Sequence, residues 1–178
     1  MNRLPSLRRM AALGLLGALA AGSVSAHITL AERTAPSGGY ARVTLQVPHG
    51  CSGRATTGLA VELPPGLASV KPMPKPGWTL TVKKGKYAKP YNAGHGELTE
   101  GVLELSWSGG KLPDDNYDEF VLSVYLIDEL KPDAMLYFPV VQECQQGVHR
   151  WIEVPEAGKP ADLPEPAPGL KLLPARRH

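Results

Sequence analysis

The chain has little of what most enzymes and nucleic-acid-binding proteins display in their sequences. Its 178 residues contain no Gly-x-Ser-x-Gly, no His-Glu-x-x-His and no glycine-rich phosphate loop. Hydrolytic chemistry therefore has little support. Aromatic residues make up only 6% of the chain, which is few for a polysaccharide-binding face. Nothing suggests the clustered basic surface that nucleic-acid binding requires, so no nucleic acid is expected as a partner.

Long apolar runs are missing beyond residue 26. No later run approaches the roughly 20 residues of a membrane-spanning helix, and no cysteine is placed to carry a lipid. Residues 1–26 combine three early arginines, an apolar run and a small-residue ending at Ala26, which is typical of a signal peptide. We predict cleavage after Ala26 and a soluble product in the periplasm or another extracytoplasmic compartment.

The mature chain is predicted to be one domain of nearly neutral charge. Removing 26 of the 178 residues leaves 152, enough for one sizeable core. The signal peptide takes three of the 19 lysines and arginines, so 16 remain against 17 acidic residues. Residues 27–156 are predicted to form the domain. Residues 157–178 have five prolines and no apolar periodicity, which favours an extended tail.

Alternating apolar and polar residues predict an all-β fold. Short segments of this kind recur between turns rich in glycine and proline, and no segment has a persuasive helical period. The economical arrangement is an antiparallel β-sandwich of immunoglobulin or cupredoxin type, with a partly closed barrel as the alternative. The nine predicted strands are His27–Ala31, Tyr40–Val47, Gly58–Leu63, Ala68–Lys71, Trp78–Lys83, Val102–Trp107, Glu119–Ile127, Ala134–Val141 and His149–Val154.

Only two cysteines are present, Cys51 and Cys144. In an oxidising compartment they are predicted to form a disulfide. The alternative is a copper thiolate of the blue-copper kind, which needs two histidines and usually a methionine near the cysteine. His149 follows Cys144, but no methionine does. The sequence therefore favours the disulfide.

Cleavage after Ala26 would make His27 the first residue of the mature chain. Its α-amine and its imidazole Nδ1 could then hold one metal ion as a chelate, because both nitrogens are already joined to one Cα. Both nitrogens lose their protons to Cu²⁺ around neutral pH, and Cu²⁺ stands at the top of the divalent affinity order. The alternative is that a polar residue follows the cleavage site by chance.

Four further residues are candidates for a role in metal binding. Glu119 begins an apolar strand, so its carboxylate could reach one end of the sandwich. Trp151 could shield an ion and contribute a cation–π attraction, although a tryptophan in a strand usually belongs to the core. His49 lies in a turn that the disulfide would hold, and it could be an accessory ligand or merely a surface residue. Glu62 is the second candidate carboxylate.

Several short motifs follow one another along the chain: His27-Ile28-Thr29-Leu30, Ala55-Thr56-Thr57, Val61-Glu62-Leu63-Pro64, Pro76-Gly77-Trp78, Asp118-Glu119-Phe120 and Trp151 before Pro155. In this order they resemble the YcnI-like copper-binding domains, which are exported bacterial β-sandwich proteins. The resemblance covers most of residues 27–155. It implies a Cu(II) site with an N-terminal "monohistidine brace" on His27, a carboxylate on Glu119, with Glu62 competing, and a nearby tryptophan on Trp151.

The resemblance implies a copper metallochaperone or copper homeostasis factor and not an enzyme. Its partners would be the copper ion and a membrane copper transporter or another periplasmic chaperone. A first alternative is an oxidative copper enzyme resembling polysaccharide monooxygenases, in which His95 or His149 would supply the second histidine. A second alternative is an exported adhesion or assembly module without metal.

Overall fold

A computed structural model describes residues 27–93, 96–156 and 162–175. The predicted signal peptide, residues 1–26, lies outside these residues, as do His95 and His178. In the described part of the chain, no helix has the length and apolar character needed to cross a membrane. The strands are β1 Thr29–Leu30, β2 Thr34–Pro36, β3 Gly39–Val47, β4 Thr56–Glu62, β5 Leu67–Pro72, β6 Thr79–Asn92, β7 Glu97–Leu112, β8 Asp118–Leu126, β9 Met135–Tyr137, β10 Val140–Cys144, β11 Val148–Trp151 and β12 Gly169–Leu173.

The first sheet has the strand order β1-β3-β8-β5, and all its neighbours are antiparallel. Alternation decides which side chains enter the core, since successive residues of a strand point to opposite faces. Leu45 on β3 pairs with Phe120 on β8, and both are buried. The next pair, Gln46 and Glu119, therefore lies on the outer face of this sheet.

The second sheet has the order β11-β10-β4-β7-β6 and is also antiparallel. Trp151 pairs with Val140, which pairs with Val61, which pairs with Leu105. These four side chains are buried and belong to one core cluster with the apolar residues of the first sheet. The predicted β-sandwich is confirmed.

The segment expected to be a tail is part of the fold. Strand β12 pairs with β2 in parallel and with β9 in antiparallel orientation, which makes a third, small sheet. Leu170 and Leu172 alternate into the core and are fully buried. The prediction of an extended tail from residue 157 is therefore wrong for residues 162–175. Because this segment is rich in proline, the short alternation Leu170-Lys171-Leu172 was not enough to predict a strand.

The strands agree with the predicted ones at most positions. The main differences are the two unpredicted strands β2 and β12, the greater length of β6 and β7, and the division of Ala134–Val141 into β9 and β10. Strands β1 and β11 are also shorter than predicted. The division falls at Phe138 and Pro139. Proline has no backbone N–H to donate to a ladder, and here Pro139 only accepts a hydrogen bond, from the Glu62 N–H.

The disulfide between Cys51 and Cys144 is present, which confirms the prediction. Cys51 lies in the turn that follows β3 of the first sheet, and Cys144 ends β10 of the second sheet. The bond therefore ties the connection between β3 and β4 to the second sheet. Since 93 positions separate the cysteines, the cross-link is worth about 4 kcal/mol in the chain-entropy description.

Leu170→Ala tests the packing of β12. Leu170 is fully buried, and shortening a buried leucine to alanine costs about 2–5 kcal/mol. We expect urea denaturation to show a loss of this size in the free energy of unfolding. Leu173→Ala on the same strand is the matched control, because Leu173 is 39% exposed, and it should change stability by less than about 0.5 kcal/mol. Equal effects of the two substitutions would contradict the packing of β12.

Candidate metal-binding site

His27 lies at the point where the described chain begins its first strand. Ile28 and Leu30 are buried, and the Ala31 N–H bonds the Thr44 carbonyl at 3.0 Å, so the backbone beside His27 is anchored. The half-buried His27 ring lies against the indole of Trp151, with 5.5 Å between ring centroids. His27 therefore connects β1, an edge strand of the first sheet, to β11, an edge strand of the second.

The Trp151 indole is held by a buried amide. Trp151 is 1% exposed, and its Nε1–H donates to Oε1 of the fully buried Gln142 at 2.9 Å. The Gln142 Nε2 group donates to the His49 carbonyl at 2.7 Å and to the Thr56 hydroxyl at 2.8 Å. Gln142 thus uses its acceptor and both donor hydrogens. This network fixes the orientation of the indole ring.

Within the described residues, three imidazoles surround Trp151. Besides His27, the His149 ring lies 4.9 Å from the indole and is tilted by 33° from its plane, and the His49 ring lies 6.4 Å away. The His49 and His149 centroids are 6.2 Å apart. The structure therefore brings together His27, His49 and Trp151 of the predicted site residues, and it adds His149.

Glu165 supports this cluster and was missed from the sequence, because residues beyond 157 were interpreted as a tail. Its Oε1 accepts a hydrogen bond from the His149 Nδ1–H at 2.6 Å, and its Oε2 accepts from the Arg150 backbone N–H at 3.0 Å. The Glu165 N–H donates to the Glu153 carboxylate at 2.7 Å. The sequence feature that could have indicated an ordered segment around Glu165 is the apolar alternation that begins at Leu170.

The electrostatics of Glu165 follow from these contacts. Burial acts to raise the pKa of the carboxyl, but the hydrogen bonds from His149 and the Arg150 N–H, with the nearby positive charge, outweigh it. The net result is a Glu165 pKa below the usual glutamate value. The ionised carboxylate is therefore the favoured partner of the His149 ring.

Glu119 lies in a polar row on the outer face of the first sheet. The Thr29 hydroxyl donates to Gln46 Oε1 at 3.2 Å, and Gln46 Nε2 donates to the Tyr117 hydroxyl at 2.8 Å. The Tyr117 hydroxyl donates to Glu119 Oε1, which also lies 3.4 Å from Gln46 Nε2. Strand β3 separates Glu119 from the strand that follows His27. The row connects Glu119 to Thr29, two residues after His27.

Glu62 has a different environment. It pairs with Glu104 across β4 and β7, and its side chain is exposed. Its neighbour Val61 points into the core, so Glu62 points away from it. The structure therefore places Glu62 on the outer face of the second sheet, whereas Trp151 is on the inner face.

No group of three or more histidine, cysteine, aspartate and glutamate side chains is arranged to hold a metal ion within residues 27–93, 96–156 and 162–175. A brace on His27 does not need such a group, because one residue supplies two nitrogens. The donors that would fit this chemistry are the His27 ring and the α-amine that the predicted cleavage after Ala26 would free. The fixed indole of Trp151 beside them offers a π face to a cation.

Comparisons with known proteins agree with this fold. Residues 27–172 match the profile of a family described as a domain of unknown function, DUF1775. An uncharacterized protein from Nocardia farcinica, with an immunoglobulin-like fold in its crystal structure, matches with a TM-score of 0.61 and 27% identity, over 83% of this chain and 98% of its own. No curated protein matches the chain closely enough to suggest a role.

Gln142→Leu tests the network that fixes Trp151. The substitution leaves the buried Trp151 Nε1–H without its acceptor, and an unsatisfied buried donor costs about 1–3 kcal/mol. We expect a loss of this size in the free energy of unfolding, measured by urea denaturation. Gln145→Leu is the matched control, since the Gln145 side chain is exposed. Unchanged stability of Gln142→Leu would show that the amide does not hold the indole.

Proposed function

This chain belongs to the DUF1775 family, and we propose that it is an exported protein that binds Cu²⁺ through an N-terminal brace on His27 and carries the ion to a partner. Copper is cargo in this proposal, so the protein binds and releases it and performs no catalysis. The family match supports the resemblance to the YcnI-like domains. The copper ligands, the export and the partner are our proposal.

One observation carries the proposal: the ring of the residue that would become N-terminal lies 5.5 Å from the buried indole of Trp151. A histidine that followed the cleavage site by chance would not be expected to pack against a buried indole. The buried side chains of Ile28 and Leu30 hold the backbone that would present the α-amine. The amine and the ring would therefore lose little further conformational freedom when they bind the ion.

Trp151 has a distinct part in this proposal. Its indole is almost fully buried and cannot turn, because Gln142 holds the ring nitrogen. A fixed aromatic face beside the brace would exclude water from one side of a bound cation and attract it through the ring quadrupole. The brace leaves further coordination positions to water or to a partner's ligands, which suits an ion that must be released.

The disulfide supports the proposed location. Structural disulfides form in oxidising compartments such as the periplasm, and the Cys51–Cys144 bond occupies both cysteines of this chain. No thiolate is left to hold Cu⁺, which favours nitrogen and oxygen donors suited to Cu²⁺. A membrane copper transporter or a second periplasmic chaperone is the proposed recipient.

Of the two carboxylate candidates, Glu119 is the one we propose. It is connected through Gln46 to Thr29, beside the proposed brace. Glu62 is directed to solvent on the far side of the other sheet. In this proposal the Glu119 carboxylate either binds the ion directly or acts through Gln46, which would orient a water molecule bound to the ion.

Adding one alanine before His27 tests the brace. The extension moves the amine away from the imidazole and removes the effective concentration that joins them, so affinity for Cu²⁺ should fall by at least about 100-fold. The measurement is a Cu²⁺ titration with electron paramagnetic resonance of the chain beginning at His27 and of the extended chain. His178→Ala is the control for loss of an imidazole without an assigned role. Equal affinities and equal nitrogen hyperfine structure would refute the brace.

Glu119→Gln tests the carboxylate. Removing its charge should lower the affinity for Cu²⁺ by about tenfold or more, the loss expected even for an outer partner of a metal ligand. Glu62→Gln is the matched control and should bind Cu²⁺ as the unsubstituted chain does. A loss confined to Glu62→Gln would reverse the assignment.

A further inference from the structure

We infer that His49 and His149 form a second position for a divalent transition-metal ion, oriented by Glu165 and independent of the N-terminal amine. Nothing in the proposed brace requires these two rings. Their placement calls for an explanation, because they come from segments far apart in the sequence. His49 follows β3 of the first sheet, and His149 lies on β11 of the second.

The separation of the two rings suits one shared ion. With a metal–nitrogen bond of about 2.0 Å, two imidazoles on one ion have ring centroids at most about 6.4 Å apart. The His49 and His149 centroids are 6.2 Å apart. At this separation the two nitrogens lie nearly opposite each other across a shared ion, an arrangement that the tetragonal geometry of Cu²⁺ accommodates.

Both rings are oriented in the way that metal-binding histidines usually are. The Nδ1–H of His149 donates to the Glu165 carboxylate at 2.6 Å, and the Nδ1–H of His49 donates to the Gly50 carbonyl at 2.5 Å. In a neutral imidazole that donates from Nδ1, the lone pair is on Nε2. A carboxylate or carbonyl on the other ring nitrogen is the usual outer partner of a histidine ligand, and it raises the basicity of the ligand.

Glu165 is itself fixed, which separates this arrangement from a chance surface ion pair. Its two oxygens bind two different groups, the His149 ring and the Arg150 N–H, and its backbone N–H is bound by Glu153. The Glu153 N–H in turn bonds the Glu165 carbonyl at 3.1 Å. Glu165 therefore lies beside Glu153 at the edge of the second sheet, where its carboxylate reaches His149.

Access and placement complete the argument. The His149 side chain is 29% exposed and lines an open surface pocket beside Cys51 and Gly147. Water can therefore complete the coordination of an ion that has two protein nitrogens. Both rings also contact Trp151, as His27 does, so this position adjoins the brace of the proposed function without depending on it.

The test uses the chain with one alanine added before His27, in which the brace is blocked. Titration with Cu²⁺ should show one remaining ion per chain, and Zn²⁺, which prefers tetrahedral ligands, should bind more weakly. His149→Gln in this background should abolish it. Glu165→Gln should weaken it by about 10- to 100-fold, the effect of losing an outer partner of a ligand. Glu104→Gln, an exposed carboxylate paired with Lys83, is the matched control and should leave the affinity unchanged.

Two results would overturn the inference. The first is the absence of any remaining ion in an extended chain whose circular dichroism and melting temperature are unchanged. The second is remaining binding that His149→Gln does not alter. Failure of the brace is a separate result, namely equal affinity of the processed and the extended chain. Should His149→Gln fail to fold, nuclear magnetic resonance of the extended chain decides: Cu²⁺ must broaden the ring signals of both His49 and His149.

Discussion

The buried amide of Gln142 is the constraint on which this end of the sandwich depends. A buried polar group must find partners, and Gln142 takes them from three segments: Trp151, Thr56 and the His49 carbonyl. The disulfide repeats the same link two residues further along, since Cys51 follows His49 and Cys144 follows Gln142. One hydrogen bond and one covalent bond thus hold the turn after β3 against β10. Together they fix the surroundings of Trp151.

A fixed indole at a sheet edge lets residues from distant parts of the chain share one environment. His27 arrives from the first strand, His49 from the turn after β3, and His149 from β11 itself. In the described part of the chain, β1, the turn after β3 and β11 are not paired with one another as strands. Their rings come together because all three pack against Trp151. Because Trp151 is both buried and hydrogen-bonded, the energy that orients it comes from the core and not from any ligand. In the proposed function, the rings would therefore bind and release an ion without disturbing the fold.

The sequence indicated most of the fold and three of the four rings of this cluster, those of His27, His49 and Trp151. Alternation identified the main strands, and the export pattern with two cysteines identified the disulfide, because both signals are local or unique. His27 and Trp151 were identified by the cleavage site and by family resemblance. Glu165 could not be found in this way, since its role depends on the return of the chain to β11 through a segment that proline makes unlike a strand. His149 and Trp151 are two residues apart on β11, so alternation places them on the same face of the strand. The short distance between His149 and His49 depends on how the turn after β3 packs near the second sheet, and no local sequence pattern predicts that packing.

The position of the anchored backbone limits when an N-terminal brace can act. Ile28 is 2% exposed and Leu30 is 3% exposed, so the order of the sandwich begins one residue after His27. An amine at His27 would therefore be presented by a fixed chain, whereas an amine even one residue earlier would not share a Cα with the imidazole. As long as a residue precedes His27, the amine nitrogen is an amide and cannot serve as a basic ligand. In the proposed mechanism, copper capture thus becomes available only after cleavage, in the compartment where the disulfide that holds His49 and β10 together also forms.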